Sequence, residues 1–213
     1  MSGDRSEGDP AVVVATRNEH KLRELAELLP ELVLEPLPDG IELPPEDGDS
    51  FFANALVKAR AAHVATDRPA IADDSGIEAA ALNGDPGIRS ARYAGEGASD
   101  EENLAKLLHE VNEAGGDRRV SYVCALAYVN DSGDEGLFEG RCEGRLAEHP
   151  RGSGGFGYDP AFLPDQVPDG RTMAELSPPE KNAISHRGVA AQMLSAHLRA
   201  SAAAGPSIDR RED

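Results

Sequence analysis

The first apolar run of the chain, residues 11–15 (AVVVA), is short, β-branched and bounded by polar residues, which predicts a buried strand. Asn18 stands where a helix N-cap belongs, ahead of Leu22, Leu25, Leu28 and Leu29 at helical spacing. The chain therefore opens as strand, tight turn, helix. Residues 32–34 read as another strand, and the Pro- and acid-rich DGIELPPEDGD as an exposed loop. Ser50 predicts the cap of a second helix reaching about Thr66, with Phe52, Ala55, Leu56 and Ala59 inward, and residues 69–73 (PAIAD) predict a brief strand. The segment LNGDPGIRSARYAGEGAS carries too much Gly, Ser and charge for a regular element and predicts a long loop near a site. Ser99 with Glu102 predicts a capping box opening a helix to about Ala114. Residues 120–130 and 136–147 read as antiparallel strands turning at Asp131 to Asp134, a hairpin that would set Cys124 and Cys142 nearly opposite each other. Thr172 with Glu175, and Ser177 with Glu180, repeat the capping-box pattern. A last helix is predicted from about Ser185 to Ala203, with Val189, Ala190, Met193, Leu194 and Leu198 inward. This order of elements predicts an α/β or α+β fold, a central mixed β-sheet flanked by helices, in two lobes with the site in the cleft between them. Residues 11–203 read as a single domain between disordered tails, 1–10 and 204–213.

Composition narrows the function classes. At 213 residues the chain can bury a sizeable core, it holds no run near the roughly 20 apolar residues of a membrane span, and its polar N-terminus lacks the core of a signal peptide. A cytoplasmic protein without a membrane partner is expected. The net charge of -18 would repel a phosphate backbone and argues against nucleic acid as partner. Two cysteines make neither a disulfide framework nor a zinc site, so a reduced buried pair is expected. Salt adaptation and a plain acidic, Arg-rich lean both account for the charge. Among 21 Lys and Arg residues only Lys21, Lys58, Lys106 and Lys181 are lysine. Lys106 is explained by Glu102 one helical turn earlier; the other three fall in segments that look chemical for independent reasons.

Thr16, Arg17 and Asn18 fill the first strand-to-helix turn, where free N–H groups and the helix dipole favour an anion, and Lys21 can reach back to it. The glycines of a Walker loop are missing, and Asn18 is equally a plain helix cap. Glu46, Asp73 and Asp74 are candidate ligands for a magnesium-type ion, which takes hard oxygen donors. Paired acids after an apolar strand are costly to bury without a cation, although a solvated DDSG turn and a solvated Glu46 are the plain alternatives. Lys58, on the second helix among alanines, either snorkels to solvent or meets phosphate. In GSGGFGYDP, Phe156 and Tyr158 offer ring faces and Asp159 an acceptor, or the whole is a tight structural turn. Lys181, His186 and Arg187 crowd cations near a helix start, which calls for an anionic or carbonyl-bearing neighbour.

Together the strings ATRNEHKLREL, SFFANALVKARAA, AIADDSGIEAAALNGDPGIRSARYAG, GGFGYDPAF and TMAELSPPEKNAISHRG resemble, in that order, the signatures of the inosine triphosphate pyrophosphatase family, the dITP/XTP pyrophosphatases. The resemblance spans residue 11 to about 200 and implies a magnesium-dependent, homodimeric enzyme. Such an enzyme splits aberrant purine nucleoside triphosphates into monophosphate and pyrophosphate. Asp74 matches the general base and a metal ligand, and Glu46 the other metal carboxylate. Thr16, Arg17, Asn18, Glu19, His20, Lys21, Ser75, Phe156, Gly157, Tyr158, Asp159, Lys181, His186 and Arg187 match substrate-binding positions, and Lys58 a lysine of the phosphate site. Two residues depart from the pattern: Arg17 stands where many members have glycine, and Ala53 where many have glutamate. A module that binds nucleotide without turnover, and a pyrimidine-directed relative lacking SHR and FGYD, are the rival readings.

Overall fold

The computed structural model describes residues 11–204, so residues 1–10 and 205–213 of the two expected tails lie outside the described residues, while Ala204 ends the last helix. The chain runs β1 (Val12–Val14), α1 (Glu19–Leu28), β2 (Leu34–Pro36), α2 (Phe51–Thr66), β3 (Ala70–Ala79), α3 (Asp100–Glu113), β4 (Arg119–Val129), β5 (Glu135–Leu146), β6 (Phe162–Pro164), α4 (Pro178–Ile184) and α5 (His186–Ala204). One six-stranded sheet results, in the order β2-β1-β3-β4-β5-β6. It is mixed as expected: β1 pairs in parallel with β2 and β3, and β3 through β6 are antiparallel.

The helix starts were legible because each is a local hydrogen-bond problem. Asn18 caps α1 by accepting from the His20 and Lys21 N–H groups, Ser50 caps α2 through the Ala53 N–H, and the capping boxes at Ser99, Thr172 and Ser177 all form. Inward faces were less legible. On α2 the buried stripe is Phe51, Asn54, Ala55, Lys58, Ala59 and Ala62, while Phe52 and Leu56 are half-buried. On α5, Ala190, Ala191 and Leu194 are buried, and Met193, expected inward, is 47% exposed. Small residues replace large ones because these helices lie close to the sheet. A Cβ on Gly140 of β5 would come within 2.0 Å of the His186 carbonyl oxygen, so only glycine admits α5 at that distance.

The larger departure is β3. The expected strand at residues 69–73 continues through Asp-Asp-Ser-Gly to Ala79, paired with β4 along its whole length. Alternation along a strand then sends consecutive side chains to opposite faces. Ile71 packs with Leu25, Leu29 and Leu194 on the α1/α5 face, whereas Ala70 and Ala72 pack with Ala55, Ala59 and Ala62 of α2. Asp73 and Asp74 are thereby parted by the sheet itself. Other corrections are small. The second strand starts at Leu34, and the long loop holds a 3-10 turn at Gly87–Arg92. Cys124 faces Gly140 while Cys142 faces Tyr122, which puts the two thiols out of register. Both are free and buried, and burial pushes each thiol up to about 12. Lys106 pairs with Glu110 at 3.8 Å and donates to the Tyr93 carbonyl at 2.7 Å; the expected partner Glu102 is instead the capping-box residue.

Candidate active site

A pocket opens where α1, β3, α3, β4, the 153–159 loop, α4 and α5 converge. Its lining includes Asn18, Lys21, Glu46, Asp74, Ser75, Phe156, Gly157, Tyr158, Asp159, Lys181, His186 and Arg187 from the sequence reading. Thr16, Arg17, Glu19, His20 and Lys58 are not among its lining residues. Asp100 and Tyr122, unmarked in the sequence, also line it, and Asn54 and Glu24 act on lining residues. Asp100 sits inside an ordinary capping-box helix start, and Glu24 looks like one more charge on an amphipathic helix, so neither carries a sequence signal of its own.

On the α2 face of β3, the Asp74 carboxylate accepts from the Asn54 amide at 2.9 Å and lies 3.8 Å from the Lys58 ammonium. Lys58 does not snorkel: it is buried, donates to the Asp73 carbonyl at 2.7 Å, and makes a close ion pair with Glu46. Burial raises the Asp74 carboxyl above its ordinary value; Lys58 and Asn54 offset this in part, and the Glu46 charge adds to it. Glu46 is carried here by an irregular loop that is tied at both ends of its turn. Arg92 donates to the Glu46 carbonyl at 3.0 Å and Asn54 accepts from the Gly48 N–H at 2.8 Å. Arg17 donates to the carbonyls of Leu37, Pro38 and Ile41 at 2.7, 2.8 and 2.8 Å. The side chain of Arg17 is therefore turned away from the pocket and braces the Glu46 loop against the β1–α1 turn.

The α1/α5 face holds a different arrangement. Asp73 is fully buried and accepts from Arg187 Nη2 at 2.8 Å, with Lys21 at 3.2 Å and the Ser75 hydroxyl at 3.2 Å. Burial opposes its ionisation, but Lys21, Arg187 and Lys58 outweigh burial and hold its carboxyl far below the usual range. Asp73 was a candidate metal ligand; these cations occupy it instead. Glu24 of α1 accepts from Arg187 at 2.5 Å and from Lys181 at 2.7 Å, and Asp159 takes a second bond from Lys181 at 2.7 Å. The crowding of Lys181 and Arg187 is thus balanced by carboxylates of the chain. His186 is not a third cation: burial, then Arg187 and Lys181, push its pKa well below the ordinary value, and it stacks on Tyr122 at 4.6 Å. Among the described residues, Asp73 Oδ1 and His186 Nδ1 are buried side-chain atoms without a hydrogen-bond partner.

Asp159 is a buried anchor. It accepts from the Tyr122 hydroxyl at 3.0 Å and the Phe156 N–H at 3.0 Å, fixing the loop that carries Phe156. The Phe156 ring stacks on His20 at 5.3 Å, with Lys181 5.1 Å and Arg187 5.8 Å from its centroid. The Glu24 and Asp159 carboxylates at this end are already paired with Lys181 and Arg187. At the other end, Glu46 and Asp74 offer hard oxygens, and the burial that raises Asp74, with the Glu46 charge adding to it, is what a divalent cation would offset. No cluster of three His, Cys, Asp or Glu side chains fit for a metal occurs among the described residues. Two carboxylates suit a magnesium-type ion that completes its shell with water and substrate oxygen, and do not suit zinc.

The chain is similar to known proteins over most of its length. The chain is 48% identical over 193 residues to a dITP/XTP pyrophosphatase of Geobacter sulfurreducens, covering 88% of this chain and 96% of that protein. It is 50% identical over 180 residues to a dITP/XTP pyrophosphatase of Symbiobacterium thermophilum, covering 83% and 88%. A HAM1 protein structure from Coxiella burnetii superposes with a TM-score of 0.79 at 43% identity, over 90% of this chain and 99% of that one. The Ham1 family model matches residues 12–197, and the chain belongs to the Ham1 family.

Proposed function

We propose that this chain hydrolyses purine nucleoside triphosphates bearing a 6-carbonyl base, hypoxanthine or xanthine, to the monophosphate and pyrophosphate. The observation that carries the reading is the parting of Asp73 and Asp74 to opposite faces of β3, one neutralised by cations and the other beside Glu46 with its pKa raised. A carboxylate with raised affinity for a proton, in a pocket, is suited to general-base work.

In this reading Asp74 takes the proton of a water attacking the α-phosphorus, the bond from that phosphorus to the bridging oxygen breaks, and pyrophosphate leaves. Magnesium, held by Glu46 and Asp74, would neutralise phosphate charge. Lys58 and Lys21 turn from their carboxylates toward phosphate oxygens, and the N-terminal end of the α1 dipole favours the anionic tail beside them. The base lies under Phe156. Lys181 and Arg187 make this end rich in donors, and the Glu24 and Asp159 carboxylates are already turned to them. A 6-carbonyl accepts there, whereas the 6-amino group of adenine faces donors and leaves both sides unpaired.

The reading extends to a cytoplasmic homodimer without a nucleic-acid or membrane partner. No helix among the described residues is long and apolar enough to cross a membrane, the net charge is -18, and the dimer rests on the sequence resemblance. The deciding experiment is a panel of nucleoside triphosphates with magnesium, scored for pyrophosphate against orthophosphate. Pyrophosphate from inosine and xanthosine triphosphates, with ATP slower by at least about a hundredfold, is the expected result. Orthophosphate release, or equal rates on ATP, would sink it.

A further inference from the structure

The loop that carries Phe156 has two kinds of attachment. Its base is held by buried bonds: Asp159 to Tyr122 and Lys181, and the Tyr158 hydroxyl to the Ser90 carbonyl at 2.7 Å. Its tip is held by exposed contacts. The Gly157 N–H donates to Asp100 Oδ2 at 2.6 Å, and Phe156 lies on the ring of His20. The tip therefore spans the pocket, resting on α1 at one side and on the first turn of α3 at the other.

The bond to Asp100 is the stronger tip contact, because it is a direct hydrogen bond of 2.6 Å to a carboxylate oxygen, whereas the rings of Phe156 and His20 meet at 5.3 Å between centroids. Gly157 has φ +61, a conformation side chains resist, and this turns its N–H toward α3. The bond is solvent-accessible, with Asp100 exposed and Gly157 half-buried, so water can replace either partner without stranding a fully buried polar group. The base of the loop lacks that freedom. A segment with buried anchors at one end and a solvent-accessible bond at the other opens at the accessible end.

We propose that Asp100 is a positioning residue that latches this loop, so that Phe156 closes over the purine end of the pocket and releases it when the bond to Gly157 breaks. The latch rests on the proposed nucleotide reading for what it encloses, but not for its existence, which is a property of the free chain. Asp100 touches no reacting atom; it acts through the Gly157 amide on the ring that covers the base.

Amide hydrogen exchange in the ligand-free protein, read beside steady-state kinetics on inosine triphosphate, tests the proposal. Asp100→Ala is expected to speed exchange at residues 156 and 157 by about tenfold, and to raise KM about fivefold with kcat within about twofold. Asp100→Asn keeps an acceptor oxygen and is expected to recover most of both effects. Glu101→Ala, an exposed neighbour on the same first turn, removes a similar charge from the helix start without touching the loop, and is expected to change neither. Unchanged exchange in Asp100→Ala, or equal acceleration in Glu101→Ala, overturns the latch. So does a fall in kcat at constant KM, which would put Asp100 in the chemistry. If the wild-type protein releases no pyrophosphate from any purine triphosphate, the functional reading fails by itself, and the exchange data still decide the latch.

Discussion

The two ends of the pocket are built from the same residue types and reach opposite electrostatic states. At the base end, Asp73, Glu24 and Asp159 each meet Lys or Arg at 2.5–3.2 Å, and the Arg187 side chain is 1% exposed. At the phosphate end, Lys58 alone stands between Glu46 and Asp74, and the Glu46 side chain is 35% exposed. The first arrangement balances its carboxylates with cations of the chain and holds its donors in fixed directions. The second leaves like charges facing each other, and only an incoming cation and polyphosphate complete it. Recognition is preorganised at one end, while the other stores the affinity for metal and phosphate.

The hardest test of this contrast is Asp74→Asn. Asparagine keeps the shape and can still accept from Asn54, but cannot take a proton, so turnover should fall by about a thousandfold or more. Stability should move the other way. A carboxyl whose folded pKa lies above its ordinary 3.8 binds protons more tightly folded than unfolded, so its contribution to stability falls as pH rises through that interval. At neutral pH the ionised Asp74 is a burden on the metal-free fold, and removing its charge should raise the thermal midpoint. The gain should vanish below pH 3.8, where both forms are neutral. A lowered midpoint at neutral pH would mean that the buried Asp74 charge is not a burden on the fold.

Asp73→Asn should do the reverse. The folded pKa of Asp73 lies far below 3.8, so its stabilisation is present above that pH and drains away as pH falls below it. Removing one partner from a buried ion pair costs about 3–5 kcal/mol, here by taking from Arg187 one of its two carboxylates. Denaturant unfolding at neutral pH reads this directly. Neighbours in sequence would then show stability changes of opposite sign, and equal signs would erase the distinction between the two faces of β3.

Only part of this contrast was legible in the sequence. Helix starts were, because Asn18, Ser50, Ser99, Thr172 and Ser177 satisfy backbone groups within a few residues of themselves. That ADDSG matters was legible too, but its polar residues read as the end of a strand, when β3 runs five residues beyond Asp74. What lets a strand continue through two acids is supplied from α1, α2 and α5, far away in sequence. The same holds for Glu24, which gains a meaning only once Lys181 and Arg187 arrive beside it. Single-residue chemistry is local enough to be read; the pairing that sets its charge state is not.

Glu46→Gln sharpens the account of the phosphate end. It removes a hard ligand and also the charge that adds to the effect of burial on Asp74, so the magnesium concentration for half-maximal rate should rise by about tenfold. The carboxyl of Asp74 should move down toward its ordinary value, carrying the acid limb of the rate profile to lower pH. If the metal requirement is unchanged, Glu46 is only the counter-ion of Lys58.

Arg17→Ala probes the same end from outside, with the smallest expected effect. The guanidinium joins the phosphate turn to the Glu46 loop through three carbonyls, a geometry that a planar fork of donors can satisfy and a lysine cannot. Its side chain is 48% exposed, so water replaces much of what is lost, and the expected destabilisation is on the order of 1 kcal/mol. The functional change follows from where the brace sits. A looser loop places Glu46 less often beside Asp74, so the magnesium requirement should rise by about twofold while selectivity for 6-carbonyl bases stays as it was. Loss of base selectivity in this variant would mean that the two ends of the pocket are one coupled unit. An unchanged metal requirement would mean that Arg92 and Asn54 hold the loop without it.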